Sequence, residues 1–392
     1  MHRVTAAVVT YNAAGLAGLL ENARRSLGDI PWVIHDSGSS DGTCRMLRSR
    51  MPGCDLICGV NRGFGYGNNR CLERIGTEYT LFLNSDASLD REALEKLAAF
   101  LDENPDHAAV QPLVRLMGWG MVTASRGVFL TPAGEAWDSG FMHLEPGPFT
   151  MPERVPAVTA AVSLWRTEVL RELGGFDEGF FMYFEDADLS LRAGASGWKL
   201  SVLPSAEAFH MVGGSSSRKA ASLWELRSSA RVYARFFGGG RVSGGWFGNR
   251  IRILLGGAVR GRNPLPGIRV LSGAALTRVK PVELPVELSG MLFGSPLDMP
   301  LPRPEPGGPG PGWRGELISP WAGSPAPGGD VSLRLFSTGH AVSGAILDGG
   351  GRPLSRFNVA AGGSTDIRVA PGGDVFYIKC DGSGDQVKAV FL

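Results

Sequence analysis

The sequence predicts an α/β protein. A doubly wound, mostly parallel sheet is followed by a basic helical extension and a C-terminal all-β, sandwich-like module. Three observations carry this. Through residues 1–110, short apolar runs alternate with stretches of helical spacing, the rhythm of a sheet wound by crossover helices. From Arg218 to Lys280, thirteen Lys or Arg stand against one acid, Glu225, among apolar residues at helical spacing. Beyond Pro325, short strand-like runs are separated by Gly-rich turns.

The first region resolves into strands at Thr5–Thr10, Trp32–Asp36, Asp55–Gly59, Thr80–Asn84 and Ala108–Gln111. Between them lie helices at Leu16–Leu27, Gly42–Arg50, Tyr66–Ile75 and Arg91–Glu103. Residues 112–217 are less regular, with helices expected at Arg166–Leu173 and Ala187–Gly194 and a strand at Lys199–Leu203. The tract Pro302–Gly312 reads as linker, because Pro and Gly cannot build a core. Five strands are expected after it: Val331–Phe336, Ala341–Leu347, Thr365–Val369, Val375–Cys380 and Val387–Leu392. The division expected is 1–217, 218–280 and 281–392.

At 392 residues, with 43% hydrophobic and 20% charged content, the chain is long enough for several cores and ordinary for a globular protein. No apolar run reaches the ~20 residues that span a bilayer. The first strand begins almost at once, which argues against a secretory signal. Cys44, Cys54, Cys58, Cys71 and Cys380 read as reduced thiols of a cytoplasmic protein. The net charge of +1 conceals the basic segment. That segment suits an anionic membrane surface or a solvated helical face; no nucleic-acid recognition motif accompanies it.

The chemistry concentrates in short words at strand ends. Tyr79-Thr80-Leu81-Phe82-Leu83-Asn84-Ser85-Asp86 reads as a buried strand delivering a carboxylate to the carboxyl edge of the sheet, where open α/β sheets bind ligands. Val9-Thr10-Tyr11-Asn12 and Asp36-Ser37-Gly38-Ser39-Ser40-Asp41 end two further strands. Asp36 is placed to accept from a base N–H and Tyr11 to stack on the base; an ordinary β-turn-α connection, with Asp41 as a cap, is the plainer alternative. Asn61-Arg62-Gly63-Phe64-Gly65-Tyr66-Gly67 is Gly-rich but is not a phosphate-binding loop ending in Gly-Lys-Ser/Thr. A second acidic cluster, Glu185-Asp186-Ala187-Asp188, follows Phe181-Met182-Tyr183-Phe184. Taken alone it is equally the favourable first turn of a helix.

The order and spacing of these words, with Gly174-Gly175-Phe176-Asp177-Glu178 between them, resemble the family 2 inverting glycosyltransferases, in particular bacterial rhamnosyltransferase-like members. The resemblance covers about residues 3–217. It implies a GT-A-type fold, a nucleotide-diphosphate sugar as donor (dTDP-rhamnose or a UDP-sugar), and Mn²⁺ or Mg²⁺. Carried over, Thr10, Tyr11 and Asp36 hold base and ribose, with Asn12 beside them. Arg62, Gly63, Asn84 and Ser85 contact the donor. Asp86 binds the metal, with His210 reaching it or the diphosphate, and Asp186 is the general base. Glu185, Asp188 and Trp165 are assigned to the acceptor, although buried packing or a structural role remains open for each. Asn84 stands where many relatives carry Asp, which removes a charge from the metal site.

The implied acceptor is a hydroxyl of a glycan or a lipid-linked saccharide, reached from the inner face of a membrane by a cytoplasmic or peripheral enzyme. Homo-oligomerisation is open. The alternative reading is a catalytically silent component of an assembly that binds sugar nucleotide or glycan.

Overall fold

The computed structural model describes residues 3–118, 122–131, 134, 136–141, 151–211, 218–248, 250–251, 265–274, 278–285 and 288, with strands between 316 and 391. The Pro302–Gly312 linker lies outside the described residues. Two compact units are present: Met1–Met117 with Ser125–Ser139 and Pro148–Gly294, and Gly118–Ala124 with Gly140–Gly147 and Ser295–Leu392.

In chain order the first elements are β1 (Val4–Thr10), α1 (Ala17–Leu27), β2 (Trp32–Asp36), α2 (Thr43–Arg50), β3 (Asp55–Cys58), α3 (Phe64–Leu72), β4 (Tyr79–Leu83), β5 (Ala87–Leu89), α4 (Arg91–Glu103) and β6 (His107–Leu116). There follow β7 (Thr123–Ser125), β8 (Val128–Leu130), β9 (Ala136–Asp138), β10 (Glu153–Arg154), β11 (Val162–Arg166), α5 (Thr167–Glu172), α6 (Glu185–Ala195), β12 (Lys199–His210) and α7 (Arg218–Val232). The main sheet runs β10-β12-β6-β11-β4-β1-β2-β3, with β5 paired to β12. Strands β3, β2, β1, β4, β6 and β12 point one way; β11 is inserted antiparallel between β4 and β6. The expected doubly wound, mostly parallel sheet is therefore present.

Period-2 alternation explains the two helical layers. Ala6, Val8, Ile34, Leu81, Leu83 and Leu164 face one core with Leu20 and Leu27 of α1, Leu47 of α2 and Leu97 of α4. Their neighbours Ala7, Val33, Phe82 and Trp165 face a second core with Leu72 of α3, Leu170 of α5 and Leu189 of α6. Covering both faces is why these strands read as nearly continuous apolar runs. Trp165 is 1% exposed and its indole N–H donates to Ser163 Oγ at 3.1 Å. This corrects its assignment to the acceptor: it alternates with Leu164 and fills the second core.

The basic extension packs on α6. Val232 of α7 and the π-helical turn Tyr233–Phe237 join Ala187 and Leu191 in one apolar cluster. A further helix, α8 (Leu265–Ala274), adds Leu271 to Ala230 and Trp246. Within its own unit, the C-terminal region holds β13 (Glu316–Leu317), β14 (Val331–Ser337), β15 (Val342–Asp348), β16 (Pro353–Val359), β17 (Ser364–Val369), β18 (Phe376–Cys380) and β19 (Val387–Phe391). They form two small sheets, β13-β18-β15-β16 and β17-β14-β19.

The reduced-thiol expectation needs correction. Cys54 and Cys71 are free, but Cys44 and Cys58 form a disulfide. The first turn of α2 sets Cys44 beside the exposed end of the edge strand β3, with the two Cα atoms 6.5 Å apart, inside the range a disulfide needs.

Candidate active site

Two clusters form at the carboxyl edge of the sheet. In the first, Thr10 and Asp36 are register partners at the ends of β1 and β2. Thr10 Oγ1 donates to Asp36 Oδ1 at 3.0 Å, while Ser39 donates its backbone N–H to Oδ2 at 3.1 Å. Asn12, at φ 49°, donates N–H to Ser39 Oγ and accepts from the Ser40 N–H. Asp36 is 1% exposed, so its carboxylate organises this loop; Tyr11 is 47% exposed, so its ring is open to a ligand. Asp41 accepts from the N–H groups of Ala14 and Thr43, tying two loops together beyond simple capping.

The Gly-rich loop has a packing reason. Gly63 sits at φ +108°, and a Cβ there would stand 2.4 Å from the Phe181 carbonyl oxygen, which accepts the Phe64 N–H at 2.9 Å. Close approach at Gly63 is to the 181–184 segment. Arg62 lies over the Tyr66 ring, 4.9 Å from its centroid. Gly63→Ala is expected to cost at least about 2 kcal/mol, from the left-handed backbone and the carbonyl clash together. Urea unfolding checks this; wild-type stability would contradict it.

The second cluster is built by β5. The chain turns at Ser85-Asp86, and Ala87 pairs with His210 where β5 meets the end of β12. Met211 N–H donates to the Asp86 carbonyl at 2.9 Å, locking this register. His210 Nε2 therefore sits 3.1 Å from Asp86 Oδ1 and 3.5 Å from Asn84 Nδ2. Asn84 Oδ1 is buried without a hydrogen-bond partner. A carboxylate, an imidazole nitrogen and an orphaned amide oxygen make a donor set that fits a divalent cation such as Mn²⁺ or Mg²⁺.

Asp186 stands in the first turn of α6. Tyr183 and Phe184, at φ 67° and 68°, swing the chain into this helix; left-handed bulky residues are costly and gather at functional sites. Asp186 Oδ2 accepts the Ala160 N–H at 3.1 Å and Oδ1 accepts its neighbour's N–H at 2.8 Å. The next residue of the same stretch, Ala161, accepts the Asn84 N–H at 2.8 Å. Residues 160 and 161 thus bridge Asp186 and the Asn84–Asp86 turn. Burial raises the Asp186 carboxyl above its ordinary range. Burial and the adjacent Asp186 charge raise Glu185 likewise, and Glu185 Oε2 has no hydrogen-bond partner.

Asp188 is 0% exposed and held by Arg192 at 2.8 Å and by Arg235. That corrects its acceptor assignment: it anchors α6. Arg235 also reaches Asp177, which Arg231 grips at 2.9 and 3.0 Å. Arg235 therefore ties α6 to Asp177, and Arg231 grips Asp177 beside it, which removes both from the charge available to a membrane surface. Sequence reading also missed Asp138 on β9, whose carboxyl burial and the Asp186 charge raise to about 6.

The comparisons fall on this architecture. Glycosyltransferase like family 2 matches residues 2–231, more than half of the chain. The chain belongs to that family. It is accordingly a glycosyltransferase of family 2, and the doubly wound region carries the family match. It is 27% identical over 221 residues to the N-acetylglucosaminyl-diphospho-decaprenol L-rhamnosyltransferase of Mycobacterium tuberculosis, covering 49% of this chain and 70% of that protein. It is 26% identical over 233 residues to the rhamnosyltransferase WbbL of Escherichia coli K12, covering 55% and 87%. Among solved structures, the mannosyltransferase PcManGT of Pyrobaculum calidifontis with GDP-Man and Mn²⁺ is 19% identical, with a TM-score of 0.43 over 70% of this chain and 69% of that one. That likeness bears on neither donor nor metal here.

Proposed function

We propose that this glycosyltransferase inverts configuration as it moves a sugar, rhamnose in the first instance, from a nucleotide-diphosphate donor to a hydroxyl of a lipid-linked saccharide or glycan. The observation that carries this reading is the pairing of the Asp86–His210 cluster with Asp186 through one short stretch, Ala160-Ala161. The names of the relatives support the sugar and the lipid-diphosphate acceptor. dTDP-rhamnose is the first donor to test, and UDP-sugars are next.

In this reading Thr10, Tyr11, Asn12 and Asp36 receive base and ribose, Tyr11 by stacking. Arg62 and Gly63 border the donor, and Asn84 and Ser85 lie at the ribose-phosphate side. Asp86 and His210 would hold Mn²⁺ or Mg²⁺, and the bound cation would supply positive charge opposite the diphosphate. Asp186 takes the proton of the acceptor hydroxyl as its oxygen bonds to the anomeric carbon and the carbon–phosphate oxygen bond breaks on the opposite face. Glu185, buried beside it, faces the acceptor. No helix among the described residues is long and apolar enough to cross a membrane. Contact with a lipid-linked acceptor then falls to exposed basic groups such as Arg227 of α7.

The test is release of nucleoside diphosphate from a panel of sugar nucleotides with Mn²⁺, alone and with a polyprenyl-diphosphate N-acetylglucosamine acceptor. Acceptor-stimulated release from one donor, with an inverted anomeric product, is expected. A retained configuration would overturn the mechanism. Tight donor binding with no turnover under any acceptor would favour the silent binder.

A further inference from the structure

The Cys44–Cys58 disulfide has no part in the scheme above, yet it stands against Asp36. Cys58 closes β3 and is the register partner of Asp36 on β2. Gly59, the next residue, donates its N–H to the Asp36 carbonyl at 2.9 Å. Cys44 lies in the first turn of α2. The two sulfurs and a carboxylate oxygen of Asp36 all lie within 4.8 Å of one another.

Two loops of the same cluster rest on that first turn. Thr43 Oγ1 accepts the Ala13 N–H at 2.8 Å, just after Tyr11 and Asn12. Asp41 accepts the N–H groups of Ala14 and Thr43, each at 3.0 Å. The turn itself is lightly held. Only Thr43 and Leu47 of α2 are buried, and no residue of β3 is. Segments with few buried apolar contacts open at low cost. Where α2 meets the edge strand, the disulfide supplies the tether that packing does not.

We propose that the Cys44–Cys58 disulfide is a reversible switch on nucleotide binding. Oxidised, it holds loops 11–14 and 37–43 in the receiving geometry; reduced, it lets them open. The proposal rests on the donor reading above. The bond is within reach of a reductant, since Cys58 is exposed and Cys44 half-buried. Arg48 Nη2 donates to Cys58 Sγ at 3.7 Å, and its charge draws an attacking thiolate to that sulfur. A dithiol reductant supplies the attack. Its first thiolate bonds to Cys58 Sγ, the S–S bond breaks, and the electron pair leaves on Cys44 Sγ, in the first turn of α2 where the helix dipole favours an anion. The reductant's second thiolate then bonds to the first, and Cys58 leaves as a thiolate. The two thiol protons pass to Cys44 and Cys58, which are reduced, and the reductant is oxidised to its own disulfide.

Calorimetric titration of the full chain with dTDP and with UDP, in Mn²⁺, tests this. Wild type is titrated oxidised, after dithiothreitol treatment with the reductant removed anaerobically, and after reoxidation; mass spectrometry of the linked Cys44–Cys58 peptide reports the state. Reduction is expected to weaken binding about 10-fold, as when the competent fraction falls to about one tenth, and reoxidation to restore it. Cys44→Ser with Cys58→Ser should bind at the reduced level under both conditions. Hydrogen exchange, read without ligand, separates local opening from unfolding. On reduction it should quicken in 11–14 and 37–43 and stay unchanged in β4 and β11. A linked peptide that survives dithiothreitol, equal affinity in both states, or exchange that quickens across the whole sheet overturns the switch. Wild type that binds neither nucleotide in either state overturns the donor reading itself, and the switch with it.

Discussion

Asp186→Asn is expected to lower turnover by about 10²- to 10⁴-fold while leaving donor affinity near wild type. The amide keeps the shape that accepts the Ala160 N–H at 3.1 Å but cannot take a proton. The wild-type pH profile should agree. Burial raises the Asp186 carboxyl, so its working, ionised form disappears as pH falls at a higher pH than the ordinary aspartate value near ~3.9. Activity therefore rises with pH through that raised pKa and is lost below it. Glu185 is pushed in the same direction by burial and by Asp186, so the pair releases its protons in two linked steps. A variant that keeps full turnover, or an acid limb at the ordinary carboxylate value, would remove Asp186 from the role of base.

Arg235→Leu is expected to be the most destabilising single change in the helical extension, costing about 3 kcal/mol or more. Arg235 lies in the π-helical turn and binds both Asp177 and Asp188. Asp188 is 0% exposed, so its charge has no recourse to water when the guanidinium is removed. Arg192 and Arg231 remain as partners, which limits the loss. In a double-mutant cycle in urea, Arg235→Leu with Asp188→Asn should cost clearly less than the two single changes summed. Strict additivity would mean that the pair is not coupled. Lower turnover in Arg235→Leu is also expected, because Asp188 is two residues from Asp186 on the same helix.

Much of the sheet was legible because its strands are buried on both faces and its helices carry regular apolar stripes. Trp32–Asp36 and Arg91–Glu103 lie where the pattern puts them; the latter is sharpened by Asp90, which caps it by accepting the Ala93 N–H at 2.8 Å. The words Asn84-Ser85-Asp86 and Glu185-Asp186 mark the two halves of the proposed site. What joins them was not legible. Strand β5 has three residues, too short for a period, yet its pairing with β12 carries His210 to Asp86. The Ala160-Ala161 bridge acts through backbone groups, which leave no trace in side-chain chemistry. Asp138 lies in a hairpin of three-residue strands. Trp165 misled because an aromatic near acidic motifs fits an acceptor platform as readily as a core. Nor does the charge count of the basic segment show that Arg231 and Arg235 are internally paired.

In the proposed mechanism Asp86 and His210 would hold a divalent cation that binds the nucleotide diphosphate. Titration of dTDP and UDP into wild type and Asp86→Ala, each with Mn²⁺ and with EDTA, tests it most directly. The account predicts binding by wild type that is strong with Mn²⁺ and largely lost with EDTA, and weak binding by Asp86→Ala in both. Equal binding with and without Mn²⁺, or unchanged Mn²⁺-dependent binding in Asp86→Ala, would contradict it.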